Sequence, residues 1–147
     1  MITPVEIDII TKLVIAAFLG GIVGFEREIN NHPAGLRVHA LLCIGSALFT
    51  LLTISSSTDV IVQPGIFGGI IMGIGFLAGG IVFRTDNKVH GLTIAAEMWV
   101  MAAVGIAVGV GMYYAAFATV LVVLVILVPL KKVEREEHLS KPLKRKK

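Results

Sequence analysis

The sequence predicts an all-α membrane protein: a polytopic bundle of five transmembrane helices with its N-terminus outside and its C-terminus in the cytoplasm. Three observations predict it. The composition is too apolar for a water-soluble core, five apolar runs are long enough to span a bilayer, and the basic residues fall almost entirely in alternate connections. In 147 residues, 56% are hydrophobic, 16 are glycine and the mean hydropathy is +0.89, a balance that makes lipid the natural solvent. The formal net charge of +3 does not mark a nucleic-acid partner, because most basic residues lie in the C-terminal segment and not on a face of a folded domain. They suit the surface of a membrane. The N-terminal segment carries Glu6 and Asp8, where a signal peptide needs positive charge, so the first helix is expected to be retained.

Crossing the hydrocarbon core takes about 20 largely apolar residues. Ile7 to Gly24, Val38 to Ile54, Gly65 to Phe83, Leu92 to Gly111 and Tyr113 to Leu130 meet that need. The last two are separated only by the neighbourhood of Gly111, Met112, Tyr113 and Tyr114; one long buried segment is the alternative, but their combined length is that of two spans joined by a tight hairpin. Arg27 and Arg37 fall between the first and second spans, Arg84 and Lys88 between the third and fourth, and eight of the 13 basic residues follow Pro129. The loops between them, including the serines at 55 to 57, have none, which sets the orientation by the positive-inside rule. Residues 1–130 are thus expected to form the transmembrane domain and 131–147 a basic cytoplasmic tail held near anionic lipid.

Glycines recur four residues apart at 20 and 24, at 65, 69 and 73, at 75 and 79, and at 105 and 109. This spacing aligns them on one helix face, where a neighbouring backbone can approach closely. Seven glycines in the third span predict that it is the crowded centre and that the chain forms a homo-oligomer, a dimer above others. A short parallel repeat is also visible: Gly20-Gly21-Ile22-Val23 leads through a charged loop to Gly35-Leu36, and Gly80-Ile81-Val82 through another to Gly91-Leu92.

The chemistry-bearing residues gather at the cytoplasmic boundary. Glu26, Arg27 and Glu28, followed by Arg37 and His39, sit within a turn or two of the membrane. One reading is an interfacial loop whose ion pairs neutralise each other and whose arginines fix topology. The other is that Glu26 and Glu28 offer oxygen ligands to hydrated Mg²⁺, which often uses only one or two carboxylates. Glu97 lies roughly 8 Å inside the fourth span at 1.5 Å per residue. A carboxyl group at that depth marks a polar interior or a cation path, and we count it with Glu26 and Glu28 as a candidate metal ligand. Arg84 and Asp86 complete the candidate set. Lys12, the other charge inside a span, can snorkel to the outer surface and lies in the opposite half of the bilayer from Glu97. His39 and His90 read as interfacial and solvated, since no His/Cys spacing supports zinc. Cys43, the sole cysteine, reads as a small packing residue. No phosphate loop, dinucleotide fingerprint, nucleophile elbow or metalloprotease motif occurs, so neither an enzyme nor a bound cofactor is expected.

The runs GGIVGFEREINNHPAGLRVHALLCIGSALFTLL, GIGFLAGGIVFR and VHGLTIAAEMWVMAAVGIAVGVG resemble the membrane domain of the MgtC/SapB family. The resemblance implies a multi-pass protein of the cell inner membrane that acts in Mg²⁺ homeostasis and adaptation to low Mg²⁺. The role it implies is regulation of partner membrane proteins, including the proton-translocating ATP synthase; the alternative is a Mg²⁺ transporter or channel with Glu97 on the path. By motif, Glu26, Arg27, Glu28, Gly35, Leu36, Arg37 and His39 fall in its first signature, and Gly75, Phe76, Leu77, Arg84, Gly91, Leu92 and Thr93 in the others. Two departures stand out: Glu97 occupies the fourth span where many members have serine or threonine, and the residues after 130 are too few for the small cytoplasmic α+β domain that many members carry.

Overall fold

A computed structural model describes residues 3–56, 64–85 and 88–140, with side chains at 3–54, 67–85 and 88–127. Five helices account for the five apolar runs: α1 (Pro4–Ile29), α2 (Leu36–Ser56), α3 (Pro64–Ile81), α4 (Leu92–Val110) and α5 (Tyr113–Ser140). Helix α1 starts at a capping box: the Thr3 hydroxyl accepts from Glu6 N (3.3 Å) while Thr3 N donates to the Glu6 carboxylate (2.7 Å), with Pro4 supplying the fixed φ of a first turn. Between α4 and α5, Gly111 takes φ +92°. Its N–H donates to Val108 O (3.0 Å) and that of Met112 to Ala107 O (2.8 Å), a Schellman close that makes the expected tight hairpin. Helices α2 and α4 both begin at a Gly-Leu step, Gly35-Leu36 and Gly91-Leu92, as the repeat anticipates.

By length and composition, α1, the Leu36–Ile54 part of α2 and α4 are apolar and long enough to cross a membrane, while Phe67–Ile81 and Tyr113–Leu127 are shorter apolar helices. Each helix exposes a large apolar side chain, among them Phe18, Phe49, Phe76, Trp99 and Phe117. A belt of this kind on every helix is stable in lipid and costly in water.

The bundle is all-α as expected, with one small addition: β1 (Phe83–Thr85) and β2 (Lys88–His90) form an antiparallel hairpin between α3 and α4, with Phe83 opposite His90 and their rings stacked 5.3 Å apart. One expectation needs correction: the crowded centre is not α3. Helix α2 lies between α1 and α4, which also touch each other, while α3 leans on α4 and barely meets α2. The core is built from Leu19 and Val23 of α1, Cys43 and Ala47 of α2, and Met101 and Val104 of α4, all nearly or fully buried. Among the described residues, none places an atom within 4 Å of where a Cβ on Gly69, Gly73, Gly75 or Gly79 would stand. A glycine-rich face permits close approach but supplies little surface to bury, so the chain's own centre forms where glycines meet a helix that also carries packing side chains.

A buried charge cluster at the junction of three helices

The buried face of α1 runs Ala16, Leu19, Gly20, Val23, Gly24, Arg27, a three- and four-residue spacing that keeps one stripe against its neighbours for three turns. At Gly24 a Cβ would stand 2.6 Å from Leu36 Cα, so the missing side chain is what lets α2 start against α1. One turn into α2, His39 is fully buried, and five residues past the start of α4 so is Glu97, at 5% exposure. The α1 stripe thus delivers Arg27, itself 4% exposed, to the junction with both.

Arg27 Nη1 lies 3.4 Å from Glu97 Oε1, His39 Nε2 lies 3.7 Å from Glu97 Oε2, and Arg27 Nε lies 3.0 Å from Glu26 Oε2. The other Glu26 oxygen accepts from Asn30 Nδ2 at 2.6 Å. On the far side of its ring, His39 Nδ1 is 3.0 Å from Gly35 O. Among the described residues no hydrogen bond reaches either oxygen of Glu97, or His39 Nε2, so this carboxyl is held by charge and enclosure and not by saturated hydrogen bonding. A buried charge that loses its partner is costly. Arg27 and Glu97 therefore tie α1 to α4, with His39 of α2 between them.

The sequence-level candidates separate accordingly. Glu26, Arg27, His39 and Glu97 come together. Glu28 does not: its Oε2 accepts from Leu36 N at 3.0 Å, capping the orphan donors at the start of α2. Arg37 and Arg84 are exposed, the latter on β1, and Asp86 lies outside the described residues. Lys12 pairs with Asp8 at 2.8 Å, away from Glu97 as its position implies. Cys43 is buried and its thiol donates to Met101 O, a packing role. Among the described residues no three His, Cys, Asp or Glu side chains converge to hold a metal. Glu97 has the Arg27 guanidinium beside it.

Two members of the cluster escape a reading by composition. Arg27 belongs to α1 and not to a loop, and His39 is enclosed and not solvated. The signal for both was periodicity: Arg27 continues the Gly20, Gly24 stripe, and His39 begins the line His39, Cys43, Ser46, Thr50, Thr53, buried along its whole length.

Apolar helices of spanning length around a buried charge cluster define an integral membrane protein whose interior charges join helices. The chain belongs to the MgtC family, whose model matches residues 13–136. It is 34% identical to Protein SapB of Bacillus subtilis over 82% of this chain and 56% of that protein. It is 38% identical to Protein MgtC of Salmonella typhimurium over 78% of this chain and 49% of that protein. It is 36% identical to "Putative magnesium transporter YhiD" of Escherichia coli (strain K12), over 78% of this chain and 59% of that protein. The chain spans about half the length of the curated relatives it matches. No solved structure matches it.

Proposed function

We propose that the chain acts in Mg²⁺ homeostasis as a non-enzymatic protein of the cell inner membrane, by binding and regulating partner membrane proteins and not by moving the ion itself. The observation that carries this reading is the state of the acidic side chains. Glu97, the one carboxyl deep in a span, faces Arg27 at 3.4 Å, and a fixed cation there repels a divalent ion. Glu26 is engaged by Arg27 and Asn30, and Glu28 by the α2 backbone. A cation path needs carboxylates with free oxygens facing water. The name of one relative, "Putative magnesium transporter YhiD", supports the link to magnesium and favours transport as the competing reading.

In this reading all five helices span the membrane, N-terminus out and C-terminus in, because the basic residues alternate between connections. A dimer forms through α3, where Gly69, Met72, Gly73 and Phe76 share one face at three- and four-residue spacing. Met72 is 77% and Phe76 82% exposed, so large and small residues alternate on a surface able to pack against its own copy. Partner membrane proteins, an ATP synthase among them, meet the assembled dimer.

Reconstitution tests the central claim. Proteoliposomes holding the full chain and a Mg²⁺-sensitive dye should show no flux above protein-free vesicles under either sign of gradient or potential. Mg²⁺ entry abolished by Glu97→Gln would replace regulation with transport. Topology is checked separately: Ser56→Cys should react with an impermeant thiol reagent from outside, and labelling from the cytoplasm alone would invert the arrangement.

A further inference from the structure

We infer that His39 and Glu97 form a proton-binding site, holding one dissociable proton between them inside the junction of α1, α2 and α4.

His39 Nδ1 stands 3.0 Å from Gly35 O, and a carbonyl oxygen only accepts, so Nδ1 must carry the hydrogen. In a neutral imidazole that leaves Nε2 with its lone pair, and Nε2 is the atom facing Glu97 Oε2 at 3.7 Å. A lone pair set against an ionised carboxylate has nothing to bind. The facing pair is matched only when one proton is added, either on Nε2, making an imidazolium, or on Glu97, making a carboxylic acid.

Charge balance requires the same proton. Around the pair, α1 contributes Glu26 and Arg27, and this one guanidinium serves two carboxylates, meeting Glu26 through Nε and Glu97 through Nη1. Helix α3 has no titratable side chain between 64 and 81, and α5 as far as residue 127 has only Tyr113 and Tyr114, at its start beside the α4–α5 turn. On the loop before α2, His32 reaches Arg27 O through its backbone N–H. With one proton, the His39–Glu97 pair is neutral overall; without it, the junction buries an uncompensated negative charge, which a low-dielectric interior disfavours strongly. Among the described residues, His39 Nε2 and both Glu97 oxygens are buried with no hydrogen-bond partner, so the site has room for the proton. Because the two groups sit on different helices, its release leaves α2 and α4 less well matched, which links proton availability to helix packing. The inference holds whether the chain regulates or transports.

The test uses the full chain in lipid nanodiscs with ¹⁵N-histidine, read by NMR, and in parallel the infrared carbonyl region. The His39 signal is assigned by its loss in His39→Gln or, if that variant does not fold, in a chain whose other three histidines are asparagine. At neutral pH the expected result is one of two: a His39 ring with both nitrogens protonated, or a carboxylic-acid C=O band that Glu97→Gln removes. Should Glu97→Gln fail to fold, ¹³C-labelled glutamate carboxyls in the unaltered chain read the same proton. On raising the pH, histidine and carboxyl signals should change together as one proton leaves. A neutral His39 beside an ionised Glu97 at neutral pH would overturn the site, and so would two groups titrating independently.

Discussion

Glycines spaced four apart occur on both sides of this bundle, and they do opposite things. On α1 and α4, Gly20, Gly24, Gly105 and Gly109 lie against α2: a Cβ at Gly109 would stand 2.7 Å from Thr50 Cβ, and at Gly24 2.9 Å from Gly35 O. On α3, Gly69 and Gly73 face an apolar groove of ≈ 630 Å³ shared with Gly45 and Phe49 of α2, and among the described residues nothing lies within 4 Å of where their Cβ atoms would be. The same spacing is thus a filled helix seat in one region and an open one in the other. What differs is the company the glycines keep. The filled seats adjoin the charge cluster and the buried line of α2, while α3 carries no charge from 64 to 81 and contributes mainly Ile74 and Ala78 to burial. Spacing marks where backbones can meet; neighbouring side chains decide whether this chain's own helices do so.

The largest expected effect tests the filled side at its charges. Arg27→Ala would leave Glu97 and Glu26 enclosed without their shared cation. Removing one partner of a buried pair costs about 3–5 kcal/mol, enough to unfold the junction, so the midpoint of thermal unfolding in detergent should fall steeply. The exposed Arg37→Ala should move it little, within about 0.5 kcal/mol. Equal effects would show that Arg27 is not enclosed in the membrane-embedded protein, and the contrast between the two regions would lose its basis.

Next comes the seat itself. Gly24→Ala places a methyl group into Leu36 Cα and Gly35 O, both backbone and unable to swing aside. Overpacking of this kind costs about 1–3 kcal/mol. Gly105→Ala meets Cys43 O and Ser46 Cβ and should act similarly, from α4 instead of α1. If both were tolerated as well as Gly73→Ala, α2 would not be the centre.

A smaller effect comes at the start of α4. Gly91 has φ +84° and sits directly on Ile81 O, so Gly91→Ala adds left-handed strain of about 1 kcal/mol to a steric clash with the end of α3. The loss should appear as faster amide exchange across β1 and β2 before it appears in global unfolding, because the hairpin is exposed and holds few tertiary contacts.

Much of this was legible in the residues. Run lengths gave five helices, the combined length of the last two runs about Gly111 to Tyr114 gave the α4–α5 hairpin, and the depth of Glu97 gave a buried carboxyl in need of a partner. The partner was not legible, because Glu26-Arg27-Glu28 looks like a solvated loop when charge is weighed by type and not by phase along the helix. Following the Gly20, Gly24 stripe one more turn reaches Arg27. The β-hairpin was missed for a different reason. Its two strands of three residues each are too short for an alternation to register, and only the two-residue Asp86-Asn87 link between them is of hairpin length. The centrality assigned to α3 came from counting glycines, a measure of how close helices can come that carries no information about which helix arrives.

The smallest effect on the fold is the sharpest test of the open side. Gly69→Leu and Gly73→Leu add side chains where the isolated chain has empty space, so unfolding of the monomer in detergent should change by no more than about 0.5 kcal/mol. Under the proposed α3-mediated dimer, the same substitutions fill the hollows that Met72 and Phe76 of a second copy would enter, and the dimer should be lost in a cross-linking or mass-photometry assay at unchanged monomer stability. Glycine-lined contacts in lipid depend on close backbone approach, because apolar surface gains little by leaving one apolar solvent for another. Two added isobutyl groups are therefore enough to separate the helices. If stability and oligomer size both stay fixed, the α3 face looks onto lipid and the dimer forms elsewhere or not at all. A fall in monomer stability would instead mean that α2 and α3 close on each other in the membrane, and the two regions would be alike.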